Sequence, residues 1–208
     1  MTVVVGKNRV TRQFHIHLDL LVQESKTIAD EIKETGKNSI ILRDEKPHIF
    51  DLFVEYLYDR KYGFLAEGIL TDQMYLFWVE VYLLAYRFGA PGFKNLCLRN
   101  LIFSQIREDK DVILETVTYV VESGVSPEDP FCQYVFWMLG QQITKLRKED
   151  AFWDLLTKYP DLSRHICMWF GSEQPELPRL NLWKSERFEE YGKLYRPGYS
   201  YDSECEDD

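Results

Sequence analysis

The stretch from Arg12 to Tyr62 constrains the fold most, because its hydrophobic pattern changes period along the chain. Phe14, Ile16 and Leu18 alternate with two histidines, and this period of two indicates a strand with one buried face. The pair Leu20–Leu21 breaks the alternation and indicates the start of a helix. The first part of the stretch therefore predicts a strand that runs directly into a helix.

The second part of the stretch predicts further helical residues, then a strand and another helix. Lys26–Glu34 has a helical composition that ends at Gly36, and the β-branched run Ser39–Leu42 predicts another strand. Pro47 suits the first turn of a helix, where its missing N–H has no intrahelical partner to lose. The apolar positions that follow it at helical spacing are Phe50, Phe53, Val54 and Leu57. The stretch thus reads strand, helix, strand, helix.

A further strand precedes this pattern. Thr2–Gly6 is a β-branched run closed by glycine, and the polar turn Lys7–Arg9 follows it, so residues 2–18 predict a hairpin. The apolar positions of the predicted strands and helices are expected to face one shared core. We expect that core to contain Phe14, Ile16, Leu21, Ile41, Phe50, Phe53, Leu57, Leu84 and Ala85.

Several segments of this pattern, taken in order, are similar to those of a known family. They are F-x-I-H-x-x-L-L-x-x-x-S at Phe14–Ser25, then I-x-L, then P-x-x-F at Pro47, then Y-L-Y at Tyr56–Tyr58. The later segments L-L-A-Y-R-F, at residues 83–88, and Leu96–Cys97 are similar to later helices of the same family. Over roughly residues 2–104 the chain resembles the BTB (POZ) domain, and most of all its filamentous-fungal branch.

The resemblance implies an α+β fold of the BTB/POZ type, a small sheet with packed helices, and a protein-interaction module without chemistry of its own. It implies an adaptor that brings a client protein to a cullin-type ubiquitin ligase. The alternatives are a self-assembling scaffold or a transcription-associated BTB protein without a ligase role. Met1 nearly abuts the first strand, so we expect the segment that many dimeric BTB domains exchange to be missing. A monomer or a non-swapped dimer is then expected.

The rest of the chain divides by composition. We assign residues 1–106 to the BTB/POZ domain and residues 107–171 to a helical C-terminal extension packed on it. Within that extension, Ser126-Pro127-Glu128-Asp129 has the spacing of a helix cap, with the hydroxyl first and the carboxylate three residues on. Residues 172–208 carry prolines and charges among aromatic residues, which predicts a partly ordered tail with an acidic end.

Composition excludes several classes of function. The formal net charge is −9 and no basic run occurs, which argues against nucleic-acid binding. No apolar run approaches the ~20 residues that a membrane helix needs, so we expect no membrane partner. The four cysteines are far apart, with neither a C-x-x-C motif nor a signal peptide. A reducing compartment is expected, cytoplasmic, nuclear or both.

The sequence predicts neither an enzyme nor a bound cofactor. None of the common nucleophile, phosphate-binding, zinc-protease or dinucleotide motifs occurs. His15 and His17 share a strand face, but a metal site needs three or four ligands and no cluster of Cys, Asp or Glu supplies the others in sequence. We therefore expect no metal, and local hydrogen bonds for His17. The acidic pairs Asp44–Glu45 and Glu189–Glu190 are expected at solvated positions.

One short motif is a candidate partner-binding site. Ile32, Lys33 and Glu34 lie just before the second predicted strand, where BTB domains that recruit a cullin carry a hydrophobic-x-Glu motif. An apolar side chain would enter a pocket of the partner while the carboxylate meets polar groups. The alternative is an ordinary helical turn in which Ile32 faces the core and its two neighbours face water. Position in the pattern is what favours the first reading.

Overall fold

The β-branched run at the N-terminus forms the centre of a small sheet in the computed structural model, which describes residues 1–7, 10–59, 72–103 and 109–171. Strand β1 (Thr2–Lys7) pairs antiparallel with β2 (Val10–His15), which confirms the predicted hairpin. Strand β3 (Ser39–Leu42) pairs parallel with β1 on its other side. The order β2-β1-β3 leaves β2 and β3 as the two edges of this sheet.

Helices α1 (Leu18–Glu24) and α2 (Lys26–Thr35) connect β2 to β3, and α3 (Pro47–Asp59) follows β3. This is the predicted order, and Pro47 begins α3 as expected. Gly36 ends α2 with a φ of 62°, and its N–H donates to the carbonyl of Ile32. That left-handed conformation favours glycine because it has no Cβ.

The described chain then continues as helices, from α4 (Asp72–Arg87) and α5 (Pro91–Phe103) onward. After residue 108 come α6 (Lys110–Glu122), α7 (Pro130–Leu146), α8 (Asp150–Lys158) and α9 (Leu162–Trp169). Helix α6 packs against α4, α7 and α8, and α7 also packs against α9. All the described residues fall within one compact unit, Met1–Pro175. Among the described helices, none is both long enough and apolar enough to span a bilayer.

Aromatic rings fill the space between the sheet and helices α3 to α5. The ring of Phe50 lies 4.9 Å from that of Phe14 and 6.0 Å from that of Phe88, measured between centroids. Phe53 joins the cluster at 5.4 Å from Phe88 and 5.3 Å from Phe93. Such edge-on and tilted contacts are the favoured arrangements for aromatic pairs. Of the predicted core residues, all but one are buried, and the exception lies on β3.

Ile41 is that exception, and its predicted burial is wrong. Its side chain is 59 % exposed, whereas neighbouring Ile40 is only 2 % exposed. Register explains the difference, since Ile40 lies opposite buried Val3 and Ile41 lies opposite Val4. Successive side chains of a strand point to opposite faces, so only one of the two isoleucines can face the helices. Two β-branched residues in a row gave the sequence pattern no means of choosing between them.

The cap of α7 is also not the residue expected. Asp129, not Ser126, is the N-cap, and its carboxylate accepts the N–H of Phe131 at 3.0 Å. Pro130 then occupies the first helical position, where proline is favoured. The hydroxyl of Ser126 instead accepts the N–H of Glu128 within the preceding turn. The motif does mark a helix start, but the carboxylate makes the cap.

The molecule is therefore mixed α+β, with a small three-stranded sheet and mostly helices among the described residues. The predicted boundary between residues 106 and 107 lies outside those residues, so it stays a prediction. The tail at 172–208, with Glu189–Glu190, lies outside them as well.

Candidate interaction surface

The start of α2 is tied to the end of α4 by hydrogen bonds. Ser25, the N-cap of α2, is fully buried; its hydroxyl donates to the carbonyl of Phe88 at 2.7 Å and accepts the N–H of Ile28 at 3.2 Å. The Thr27 hydroxyl donates to the carbonyl of Arg87 at 3.0 Å. A serine hydroxyl both donates and accepts, so this one side chain can cap the start of α2 and bind a carbonyl at the end of α4. These bonds fix where α2 points.

The far end of α2 carries the predicted partner-binding residues. Ile28 is buried, Ile32 one turn later is half-buried, and Lys33 and Glu34 are exposed. Beyond them the turn at residues 36–38 is exposed as well. The three side chains thus lie at the end of an anchored helix, beside a turn that faces solvent. Ile32 presents part of its side chain outward, which is compatible with both readings of the motif.

The two histidines do not form a common site. His17 binds Tyr58 twice, through its backbone N–H at 3.1 Å and its ring Nδ1 at 2.8 Å. His15 instead lies near Thr2 on β1, with 3.4 Å between its Nδ1 and the threonine hydroxyl. The expected local hydrogen bonds of His17 are present in its backbone, since its carbonyl accepts the N–H groups of Leu20 and Leu21, whereas its ring binds Tyr58, 41 residues away on α3. This contact joins the F-x-I-H and Y-L-Y segments of the sequence pattern.

A charged cleft of about 270 Å³ lies between the β3–α3 loop and helices α3, α4 and α6. Two ion pairs cross it: Arg87 binds Glu45 with two hydrogen bonds of 2.8 and 2.6 Å, and Lys46 binds both oxygens of Glu80. The expectation that Glu45 is solvated is wrong, because its side chain is only 12 % exposed. Paired arginine and carboxylate groups of this geometry hold elements together. Four of the charged side chains that line the cleft are therefore engaged with one another, whereas Asp44, also in its lining, is 93 % exposed.

A second polar cluster joins α4 and α5 to the start of α7. The hydroxyl of buried Tyr82 donates to Asp129 Oδ1, and Lys94 Nζ lies 3.0 Å from Asp129 Oδ2. Burial raises the pKa of Tyr82 well above its ordinary value, and the hydrogen bond to Asp129 raises it further. Nearby, the N–H of Ser126 donates to the hydroxyl of Tyr86 at 3.2 Å. We call Tyr82, Lys94 and Asp129 the α7 junction.

Sequence reasoning missed the α7 junction because its members are separated by 35 and 47 residues. The one available signal was Asp129 directly before Pro130, which is a strong helix start. Nothing in the sequence pairs that aspartate with a particular tyrosine or lysine.

The described side chains show neither a metal-binding cluster nor a reactive buried thiol. No group of three His, Cys, Asp or Glu residues within the described ranges is placed to hold a metal ion. Cys97 and Cys132 are buried free thiols, and burial raises the pKa of Cys97 well above its ordinary value and that of Cys132 to about 12. Such thiols are protonated at neutral pH and are poor nucleophiles. Comparison with known proteins assigns no family: no protein-family model matches the chain, and no curated protein matches it.

Proposed function

We propose that this protein is a BTB-type interaction module that works as an adaptor for a cullin-type ubiquitin ligase, without catalysis of its own. The observation that carries the proposal is the end of α2, where Ile32, Lys33 and Glu34 lie on an anchored helix beside an exposed turn. An interface gains most of its energy from a few apolar anchors surrounded by polar groups. A half-buried isoleucine next to an exposed carboxylate has that composition.

Contacts between the segments of the BTB-like pattern support the proposal. His17 binds Tyr58 of the Y-L-Y segment, and Phe14 packs on Phe50 of the P-x-x-F segment. Ser25, the serine of the first segment, binds Phe88 of the L-L-A-Y-R-F segment. The pattern residues therefore hold one another in place, as expected if they specify a single fold. The client protein would bind elsewhere, on helices α6 to α9 or on the chain beyond them.

The experiment is a titration of the full chain against a purified cullin N-terminal domain, with variants at the end of α2. Ile32→Ala should weaken binding by about tenfold or more, the usual size of an anchor effect. Glu34→Ala should weaken it less, because rim charges act mainly on association rate and salt dependence. Glu31→Ala is the matched control, since Glu31 is exposed on the same helix and the substitution keeps its carbonyl, which accepts the Thr35 hydroxyl.

Stability measurements separate binding from folding. Ile28→Ala is the folding control, because Ile28 is fully buried one turn earlier and its truncation should lower Tm more than that of Ile32. The proposal fails if wild type shows no binding at tens of micromolar cullin. It also fails if a stably folded Ile32→Ala, Glu34→Ala double variant binds as well as wild type.

A self-assembling scaffold is a second candidate function, and one surface favours it. Leu18 and Val22, one turn apart on α1, are 37 % and 39 % exposed, and Tyr58, hydrogen-bonded to His17, is 50 % exposed. Exposed apolar side chains on neighbouring elements are typical of association surfaces. Light scattering of wild type and of Val22→Glu decides the matter. A dimer that the variant dissociates supports the scaffold, and a monomer at all concentrations excludes it.

A further inference from the structure

Charge is distributed unevenly between the sheet and the rest of the molecule. Residues 1–17 and 36–43, which supply all three strands, contain five Lys and Arg residues and no Asp or Glu. All 34 acidic residues of the chain therefore lie elsewhere. The strand segments therefore carry local positive charge in an acidic protein, and charge of this sign attracts acidic partners. Asp44 and Asp51 engage two of these cations, Lys7 and Arg12.

Strand β3 has a free backbone edge. The N–H of Thr2 on β1 donates to the carbonyl of Asn38 at 3.1 Å, which sets the alternation along β3. In a parallel ladder, alternate residues bond the neighbouring strand, so Ile40 and Leu42 face β1 while Ser39 and Ile41 direct their N–H and C=O groups away from it. Among the described residues, none hydrogen-bonds the backbone of Ser39 or Ile41 on that outer side. With respect to the described ranges, this edge is therefore open to another strand.

The side chains along the same edge match an acidic peptide. Ser39 and Ile41 are exposed, and the exposed cations Lys37 and Arg43 lie just beyond the two ends of β3. Neither cation forms an ion pair with a described residue. The four residues of β3 between these cations span about 13 Å at about 3.3 Å per residue. The edge thus presents an apolar centre between two cations that have no carboxylate partner in the part of the chain that the structure describes.

We propose that the β3 edge binds an extended acidic segment of a partner protein as a fourth strand of the sheet. Backbone hydrogen bonds to Ser39 and Ile41 would supply much of the affinity, as in other cases of strand addition. Apolar contact with Ile41 and carboxylates near Lys37 and Arg43 would supply the selectivity. The proposal does not depend on the cullin hypothesis, because it uses none of Ile32, Lys33 and Glu34.

Two other occupants fit the edge less well. A nucleic acid would approach a chain of net charge −9, which opposes the phosphate contacts that dominate such binding. A second copy would bring two acidic chains together, and their mutual repulsion opposes association. A short acidic segment would be attracted by the local positive charge, and it lacks the many further carboxylates that a second copy of this chain would bring.

The probe is a fluorescent peptide of about eight residues, the length of an ordinary strand, with glutamates at both ends and alternating valine and threonine between them. Anisotropy titration of the full chain measures its affinity. Ile41→Pro should weaken binding about tenfold, because proline removes the outward N–H and leaves the β1 ladder intact. Ile41→Thr is its matched control, since threonine keeps the N–H and the β-branch.

Charge and location are tested in the same assay. Lys37→Ala and Arg43→Ala should each weaken binding about two- to fivefold, with the difference shrinking at high salt. Arg164→Ala is the matched control, because Arg164 is exposed on α9, far from β3 in sequence. Amide hydrogen exchange should slow at Ser39 and Ile41 when the peptide is bound.

Several results would overturn the proposal. The first is equal affinity of wild type for the acidic peptide and for a peptide with lysines in place of the glutamates. The second is equal affinity of Ile41→Pro and Ile41→Thr for the acidic peptide. The third is amide exchange that the peptide slows only at strands other than β3. Tighter binding of a single-stranded oligonucleotide than of the peptide would assign the basic sheet to nucleic acid. Dimerisation that Ile41→Pro abolishes would assign the edge to a second copy. Self-association of the Lys37→Ala, Arg43→Ala variant without peptide binding by wild type would show that the cations only guard the edge.

Discussion

The aromatic core behind the sheet and the α7 junction hold the molecule together by different physics. In the core, Phe50 touches the rings of Phe14, Phe53 and Phe88, and no polar atom has to be matched. In the α7 junction, one carboxylate serves a tyrosine hydroxyl, an ammonium group and a helix N-terminus together. The core depends on volume and shape, whereas the junction depends on every partner being present.

This difference predicts how each region fails. A truncated ring leaves a cavity whose cost rises with its volume, and neighbouring side chains can relax into part of it. A truncated carboxylate leaves a buried hydroxyl and an ammonium group unpaired, and no relaxation replaces the lost charge. The core should therefore tolerate conservative changes that the α7 junction does not.

The largest effect is expected in the core. Phe50→Ala should lower the free energy of unfolding by about 3–5 kcal/mol, because Phe50 is fully buried against three rings. Urea denaturation followed by circular dichroism measures it. Phe170→Ala is the control, since Phe170 is 59 % exposed and should change stability by less than about 0.5 kcal/mol. Equal losses for the two variants would show that the core is wrongly identified.

The next largest effect is expected at the α7 junction. Asp129→Ala should cost about 2–3 kcal/mol, below the range for fully buried ion pairs because Lys94 is partly exposed. Ser126→Ala is the control and should cost less than about 0.5 kcal/mol, since Asp129 makes the helix cap. In a double-mutant cycle, Tyr82→Phe should cost less when Asp129 is already alanine. Strict additivity would mean that the two residues do not act together.

Much of the fold followed from the sequence because short-range patterns determine it. The hairpin, the two helices before β3, and Pro47 at the start of α3 are all encoded within a few residues of where they occur. The one error in the predicted core came at adjacent Ile40 and Ile41, where two apolar residues in a row give no alternation to show which one is buried. In a strand made of a continuous apolar run, the sequence does not show which face is buried. The pairing of β3 with β1 determines it.

The polar contacts could not be predicted in the same way. Glu45 with Arg87, His17 with Tyr58, and Tyr82 with Asp129 each join residues more than 40 positions apart. Charged and aromatic residues have many chemically equivalent partners in a chain of this composition. The predicted partner site at Ile32 to Glu34 is a local motif, so its place on a helix could be predicted from the sequence. Its binding partner could not, because recognition also depends on the surface of the partner protein.

The last expected effect is absent at neutral pH, appears only in alkali, and again concerns α7. Cys132 lies on α7 near Asp129, and burial followed by the charge of Asp129 raises the pKa of its thiol to about 12. The unfolded thiol titrates near 9. Between these values the folded chain keeps a proton that the unfolded chain loses, so stability is fully present below pH 9 and falls as pH rises toward 12. The loss from this one group is at most about 1.4 kcal/mol per pH unit.

Cys132→Ala should therefore flatten the fall in the free energy of unfolding above about pH 9, the ordinary range of thiol ionisation. Val135→Ala is the matched control, because Val135 is buried on the same helix and does not titrate, so its truncation should lower the whole curve without changing the slope. Tyr82, whose pKa is also raised by burial and by Asp129, adds a second fall above about pH 10, which Tyr82→Phe removes. Denaturant titrations in reducing buffer from about pH 8 to 11 measure these slopes. An unchanged slope in both Cys132→Ala and Tyr82→Phe would place the alkaline sensitivity outside Cys132 and the α7 junction. The next group to test would then be the buried thiol of Cys97, whose pKa is also raised by burial.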